Sequence, residues 1–204
     1  MSVSAENTRR GSSRRVTPGV ITCPACAGPL KPDAKWCLSC NFTGGDSMLI
    51  FPEPAPPLLP ILDAAGIFED RDLRKIEGAR DSLVRRFPQF QLKIFTVCLP
   101  SETRLSLFGF WLLNACPFHE NETLEERAWT ILLLINAETG QAAVVPGYAA
   151  EPFLSDDEWK GILATMSGPW QAGKPAEAVV RFFKSSHEQL DRAWKRFGSR
   201  RAGK

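Results

Sequence analysis

Trp129-Thr-Ile-Leu-Leu-Leu-Ile135, bounded by Ala128 and Asn136, is the most hydrophobic run of the chain, and its reading decides the fold. A segment apolar on both faces suits a central strand with helices packed on either side. Working outward, Asn136-Ala-Glu-Thr-Gly140 reads as a turn and Gln141 to Val145 as the returning strand of a hairpin. Upstream, Ser101 or Thr103 starts a helix from Arg104 to Ala115 that is apolar nearly all round and therefore buried. Before it, Phe90 to Leu99 reads as a strand: Phe90, Leu92 and Ile94 alternate and then merge into Phe95-Thr-Val-Cys98. From Asp70, a capping residue, to Phe87, the residues Leu73, Ile76, Leu83, Val84 and Phe87 recur at helical period, and Pro88 ends the run. On the C-terminal side, Ser155-Asp-Asp-Glu158 is a capping box that opens a helix to Met166. A long last helix carries Ala176, Val179, Val180, Phe183, Leu190, Trp194 and Phe197 on one face. The order helix–strand–helix–strand–strand–helix–helix predicts an α/β/α sandwich with a mixed sheet.

Ahead of this body stands Cys23-Pro-Ala-Cys26 followed by Cys37-Leu-Ser-Cys40, a C-x2-C-x10-C-x2-C array. Each pair can form a knuckle with two thiolates aimed at one metal. Two knuckles supply a sulfur tetrahedron, which suits Zn²⁺ because its filled d shell imposes no other geometry. Gly28-Pro29 and Pro32-Asp33 are turn formers that bring the second knuckle back to the first. Leu30 and Trp36 are expected to cover the site. So short a stretch cannot fold on its own core, so metal binding supplies the folding energy. Four cysteine ligands leave no open position, which makes the metal structural. Two disulfides, or a redox pair, are the competing readings. Disulfides would want an exported chain, and a redox pair would close a strand in an α/β unit. The eighteen residues CPACAGPLKPDAKWCLSC resemble the small bacterial zinc-ribbon module, with Ala27 and Asn41 where its knuckle glycines usually stand. That resemblance implies a docking module for protein or nucleic acid.

The composition, 44% hydrophobic and 24% charged over 204 residues, is that of a soluble globular protein with one ordinary domain and a small appendage. The net charge of +2 is unevenly spread: Met1 to Val20 carries four arginines against Glu6, and Gln171 to Lys204 nine basic residues against three acidic. Such ends could meet an acidic partner, RNA or a membrane surface, but charge runs are more often simply solvated. Residues 1–19 read as a disordered tail, residues 20–45 as the zinc ribbon, and residues 46–57, with Pro52-Glu-Pro-Ala-Pro-Pro57, as an extended spacer. Met48-Leu-Ile-Phe51 could add a short strand to the ribbon. Residues 58–197 form the α/β domain and residues 198–204 a basic tail. Met1 to Val20 has no apolar core of a secretory signal. The run Leu105 to Phe118 falls short of the roughly 20 residues of a transmembrane helix. The expected location is cytoplasmic, where thiols stay reduced.

Several ordered features then carry a second resemblance. They are Ile61-Leu-Asp63-Ala-Ala-Gly66-Ile-Phe, the helix with its late aromatic, and the strand Gln91-Leu-Lys-Ile-Phe-Thr-Val. Leu107-Phe-Gly-Phe-Trp-Leu-Leu-Asn114, Ile131-Leu-Leu-Leu-Ile135 and Gly147-Tyr148-Ala-Ala-Glu151-Pro-Phe-Leu complete the set. From about Leu58 to Phe197 this order resembles the TPM domain. The resemblance implies an α/β/α sandwich and two kinds of function: acid phosphatases or calcium binders with acidic residues in a cleft at the strand ends, or accessory factors without catalysis. It matches Asp63 and Glu151 to family acidic positions and brings Asp156 or Asp157 near a third. Before Ile131 the family often has Asp-Asn/Asp-Gly, where this chain has Arg127-Ala-Trp129. An arginine in place of a carboxylate removes a hard oxygen ligand.

Asp63, Glu151 and Asp156 could gather Ca²⁺ or Mg²⁺ to activate water or clamp phosphate. The plainer alternative is that Asp63 makes a turn contact, Glu151 faces solvent and Asp156 caps its helix. His119 opens a polar loop, and a Cys116–His119 nucleophile pair is conceivable but has no orienting group. His187 falls on the apolar stripe of the last helix, as a packed or rim histidine and not a ligand. Cys98 belongs to a strand expected to be buried, and Trp111, Trp129 and Trp194 occupy core-like positions. No glycine-rich phosphate loop and no GxSxG motif are present. The favoured expectation is a non-catalytic binding or accessory protein whose ribbon docks a protein partner. A metal-dependent phosphatase and a nucleic-acid binder stand behind it.

Overall fold

The computed structural model describes residues 21–26, 28–31, 34–51, 54–117 and 122–202. The chain enters on an antiparallel pair, β1 (Ile21–Thr22) and β2 (Pro29–Leu30), and a short helix, α1 (Gly44–Ile50). The body follows as β3 (Ile61–Asp63), α2 (Asp70–Arg86), β4 (Gln91–Val97), α3 (Leu105–Ala115), α4 (Leu124–Ala128), β5 (Thr130–Asn136) and β6 (Gln141–Pro146). A 3-10 turn at Glu151–Phe153 leads to α5 (Asp156–Ala164), α6 (Ser167–Gln171) and α7 (Pro175–Ala202).

The apolar run is β5, buried at every position. The sheet order is β3-β4-β5-β6, with the first three strands parallel and β6 antiparallel, so the sheet is mixed as expected. The pleat divides its side chains between two apolar layers. Leu92 and Ile94 of β4, with Ile131, Leu133 and Ile135 of β5, face α2, α5 and α7 through Ile76, Leu83, Ile162, Val179, Phe182 and Phe183. Phe95, Leu132 and Leu134 face α3 through Phe108, Trp111 and Leu112. The crossovers β3–α2–β4 and β4–α3–β5 advance the same way across the sheet but on opposite faces, so they have opposite hands. One of them departs from the usual right-handed rule. The consequence is that α3 lies on the face of the sheet away from α2 and α7. Gly109 lets α3 approach the sheet: a Cβ there would stand 2.5 Å from both Leu134 Cδ1 and Val145 Cγ2.

Several expectations need correction. Residues 44–50 form α1, so Met48–Phe51 does not add the short strand that the sequence allowed. Thr43 precedes the helix, and the Asp46 carboxylate accepts from the Thr43 N–H at 2.6 Å and from its hydroxyl at 3.0 Å, which fixes a helical start. β3 and α4 are too short for a periodic signal. The expected helix to Met166 stops at Ala164, and α6 follows as a separate turn. α7 continues through residues assigned to a basic tail, as far as Ala202. Residues 1–19, read as a disordered tail, lie outside the described residues. Among the described residues no helix is long and apolar enough to cross a membrane.

Candidate functional site

Both cysteine pairs sit on tight backbone turns. The Cys23 N–H donates to the Gly28 carbonyl at 2.8 Å, and the Cys37 N–H to the Phe42 carbonyl at 2.9 Å. The Gly28 N–H donates to Cys26 Sγ at 3.4 Å. Asn41 adopts φ 59°, the left-handed conformation that the module usually assigns to glycine and that asparagine tolerates best among the other residues. The geometry of the second knuckle therefore survives its departure from the usual sequence, while Ala27 lies outside the described residues.

The four sulfurs lie within 4.8 Å of one another. Cys23 Sγ is 3.8 Å from Cys40 Sγ, and Cys26 Sγ 3.6 Å from Cys37 Sγ. A sulfur tetrahedron around zinc, with Zn–S near 2.3 Å, has edges of about 3.8 Å. Disulfide sulfurs would lie at about 2.05 Å, and all four thiols are free. The set could thus hold one metal ion and is consistent with zinc. Burial pushes the Cys37 thiol up, but the Ser39 and Cys40 N–H groups and the neighbouring thiols outweigh it and hold Cys37 at about 6. The Phe42 N–H favours the thiolate of Cys40, yet burial and the other three cysteines push it up to about 12. Metal binding would require all four as thiolates. Cys23 and Cys37 are buried, whereas Cys26 and Cys40 are exposed. Trp36 is 53% exposed, so it does not cover the site as expected.

The ribbon rests on α3. Arg104 donates a hydrogen bond from its guanidinium to the Ala25 carbonyl in the first knuckle. Phe42 meets Phe110 edge-on at 6.1 Å, and Phe51, just after α1, lies 5.4 Å from Phe108 and 5.2 Å from Trp111. Between the ribbon and β6 opens a cleft of about 470 Å³, with Lys31, Lys35 and Trp36 on the ribbon side and Tyr148, Glu151 and Asp156 on the other. Partial burial, then the Glu151 charge, push the Tyr148 phenol up from its usual value.

Asp63 is not brought together with the other acidic candidates. Asp63 closes β3 beside Thr96, at the C-terminal ends of the parallel strands. Its carboxylate accepts from the N–H groups of Ile67 at 3.2 Å and Phe68 at 2.9 Å, and from the Thr96 hydroxyl. It therefore staples the loop into α2, the turn contact weighed from the sequence. Glu151 hangs from Gly147 (N–H to carbonyl, 2.9 Å), and Gly147 bonds Thr130 at the opposite end of the sheet. Along β4 those levels are residues 96 and 91, roughly 17 Å apart at ~3.3 Å per residue. Asp156 lines the cleft with Glu151. It does not cap its helix: Ser155 does, accepting from the Glu158 N–H at 3.3 Å. Asp157 is exposed and pairs with Lys160 at 3.4 Å. Among the described residues the only cluster suited to a metal is the four cysteines.

Arg127 has a different employment from metal chemistry. It grips Glu122 at 2.8 Å and the carbonyls of Cys116 at 2.8 Å and Pro117 at 3.1 Å, at the end of α3. Lys93 pairs with the other Glu122 oxygen at 2.8 Å. All three side chains are nearly buried, at 9–12% exposure. Burial pushes the Glu122 carboxyl up, but the hydrogen bonds and charges of Arg127 and Lys93 win and hold it below its usual value. The sequence reading missed this triad. Its signal was Lys93 itself, an inward lysine in an apolar strand, which demands a carboxylate.

The remaining candidates are plain. Cys116 is buried, and burial pushes its thiol up, opposed by Arg127 and Lys93; that is the state of an inert thiol. His119, its conceivable partner, lies outside the described residues. His187 packs edge-on against Phe87 at 5.8 Å, as expected. Cys98, expected to be buried, is exposed because β4 ends at Val97. Trp111 is in the core, whereas Trp194 is 49% exposed on the outer side of α7.

A family model described as the TPM domain, named TPM_phosphatase, matches residues 61–189. No curated protein matches the chain. Among solved structures, the chain is similar to the N-terminal domain of a protein from Corynebacterium glutamicum (13% identity, TM-score 0.49, 64% of this chain and 79% of that one). It is also similar to the N-terminal domain of a protein from P. gingivalis (17%, 0.48, 74% and 92%). A third is the BA42 protein of the psychrophilic bacterium Bizionia argentinensis (12%, 0.44, 59% and 81%).

Proposed function

The chain belongs to the TPM domain family, and from that premise we propose that it is a non-catalytic binding protein in which a zinc ribbon and the α/β domain together present one surface to a protein partner. One observation carries this reading: the carboxylates on which hydrolysis would depend are divided between the two ends of the sheet. Asp63 is committed to the Ile67 and Phe68 N–H groups and the Thr96 hydroxyl, while Glu151 and Asp156 face the cleft. Zinc, bound by Cys23, Cys26, Cys37 and Cys40, shapes the ribbon, and the closed sulfur set gives it no catalytic position. Reduced thiols suit a cytoplasmic location.

The test is phosphate-ester hydrolysis by the zinc-loaded chain from acidic to neutral pH, with and without Ca²⁺ or Mg²⁺, beside Asp63→Asn and Glu151→Gln. The expected result is no turnover above either variant. Metal-dependent turnover that a variant abolishes would make the chain a phosphatase of the family type and overturn the reading. RNA binding that falls steeply with salt would instead move the partner from protein to nucleic acid.

A further inference from the structure

β6 is an edge strand, and its free edge opens into the cleft beside the ribbon. Which backbone groups it offers follows from the register. The Gly147 N–H bonds the Thr130 carbonyl, so in an antiparallel ladder Val145 and Ala143 also turn their backbone groups inward, opposite Leu132 and Leu134. Val144 and Ala142 therefore turn theirs outward, and Pro146, also outward, has a carbonyl but no N–H. Among the described residues nothing pairs with this outer edge. An extended chain is the ligand whose own donors and acceptors repeat at the spacing such an edge requires.

The two walls of the cleft bear opposite charges. The ribbon stands on the α3 face of the sheet and brings Lys31 and Lys35 to the rim. The turn after β6 and the start of α5 stand on the other face and bring Glu151 and Asp156. A strand laid along β6 would send successive side chains to alternate faces. One parity would meet the lysines and the other the carboxylates. The cleft, at about 470 Å³, is within the range of sites for specific ligands.

The geometry points to β6 as the docking edge for an extended peptide of a partner protein, with acidic residues at the positions turned to the ribbon and basic residues at the intervening ones. This assignment rests on the binding reading above and gives it a partner chemistry. Main-chain pairing with Val144 supplies affinity, and the alternation of charge fixes register and direction. The ribbon contributes one wall, so the site is complete only with the cysteine cluster folded.

The decisive variant is Val144→Pro. Its N–H points outward, so proline removes a donor from the open edge without taking a bond from the β5–β6 ladder. The experiment selects a displayed random-peptide library on the zinc-loaded full chain and measures Kd for the enriched peptides by fluorescence anisotropy. Circular dichroism confirms that each variant is folded, and metal content that the Val144 and lysine variants keep the cysteine site loaded. Enriched peptides should alternate acidic and basic residues, and Val144→Pro should weaken them by about ten-fold or more. Lys31→Glu with Lys35→Glu should reverse the preference at the acidic positions alone. Equal binding to Val144→Pro overturns the edge assignment, as does enrichment without alternation or no enrichment at all. A concentration-dependent dimer that Val144→Pro dissolves also overturns it, by giving the edge to a second copy. Peptides that ignore Val144→Pro but are lost in Cys37→Ser leave the binding reading standing and only the edge refuted. A full chain that captures neither peptide nor protein refutes both.

Discussion

The ribbon and the α/β body hold themselves together by different means. Among described residues 23–51 only Cys23, Cys37 and Ser47 are buried, so the ribbon has next to no apolar core. The body buries two full layers against its sheet, one toward α2 and α7 and one toward α3. With a metal on its four cysteines, as proposed, the ribbon would depend on ligand bonds to offset chain entropy, whereas the body depends on area removed from water. The two meet where Arg104, Phe110, Phe108 and Trp111 of the body receive Ala25, Phe42 and Phe51. Such a division predicts that damage to one half should stay local unless it crosses that contact.

The largest expected effect follows removal of the metal, by chelation or by Cys37→Ser. Structural zinc sites contribute apparent binding free energies of about 10–16 kcal/mol. Without it, amides of residues 21–51 should lose hydrogen-exchange protection while those of β4 and β5 keep theirs, and far-UV circular dichroism should change little. Melting of the sheet on chelation would break the comparison, since the body would then need the ribbon in order to fold. The next effect belongs to Glu122→Gln, in the nearly buried ion triad with Lys93 and Arg127. Breaking a buried ion pair costs about 3–5 kcal/mol. Because Glu122 is held below its usual value when folded, its contribution is present above the unfolded-state pKa and fades as pH falls through the depressed one. Thermal unfolding from pH 7 down to pH 3 should therefore show a steep acid loss in the parent and a flatter one in the variant. Parallel curves would remove the triad from the account of stability.

The body was legible because β5 is apolar at five consecutive positions, Ile131 to Ile135, and α2 and α7 repeat at helical period. The cysteine cluster was legible from spacing alone, since two knuckles need only local turns to aim four sulfurs at one point. Hidden were features fixed by distant partners. Nothing local to Glu122 announces Lys93, twenty-nine residues away. The sequence left Asp63 open between ligand and turn contact, because its partner Thr96 lies thirty-three residues on. α1 was misread because Met48-Leu-Ile-Phe51 is apolar and short, a pattern that strand and helix share; the Thr43–Asp46 cap decided it. The cleft has no sequence signature, since its walls come from β6, α5 and the ribbon.

Asp63→Asn sharpens the comparison from the side of chemistry. An amide keeps one accepting oxygen and puts an NH2 donor in place of the other, so the loop between β3 and α2 should loosen by about 1.5–3 kcal/mol, the range for hydrogen bonds to a charged group. Chemical denaturation would read that loss as a lowered midpoint at unchanged slope. Metal content of the cysteine cluster should not move, because Asp63 belongs wholly to the body. A variant as stable as the parent would free Asp63 from its structural role and return it to the list of candidate ligands.

The smallest effect tests the seam itself. Phe42 and Phe110 meet edge-on at 6.1 Å, a geometry worth about 0.5–1.5 kcal/mol beyond area burial. Each single alanine variant also loses contacts unrelated to its partner, so only a double-mutant cycle isolates the pair. The quantity to follow is local protection of the ribbon amides in the metal-loaded chain, where opening of the ribbon is separated from global unfolding. A coupling of the expected size would mean that the ribbon rests on α3 in solution and that the cleft beside β6 keeps both its walls. A coupling of zero would mean that the ribbon, though folded on its metal, swings free of the body. Lys31 and Lys35 would then no longer face Glu151 and Asp156 across a fixed gap, and the ribbon would have to hold its partner by itself.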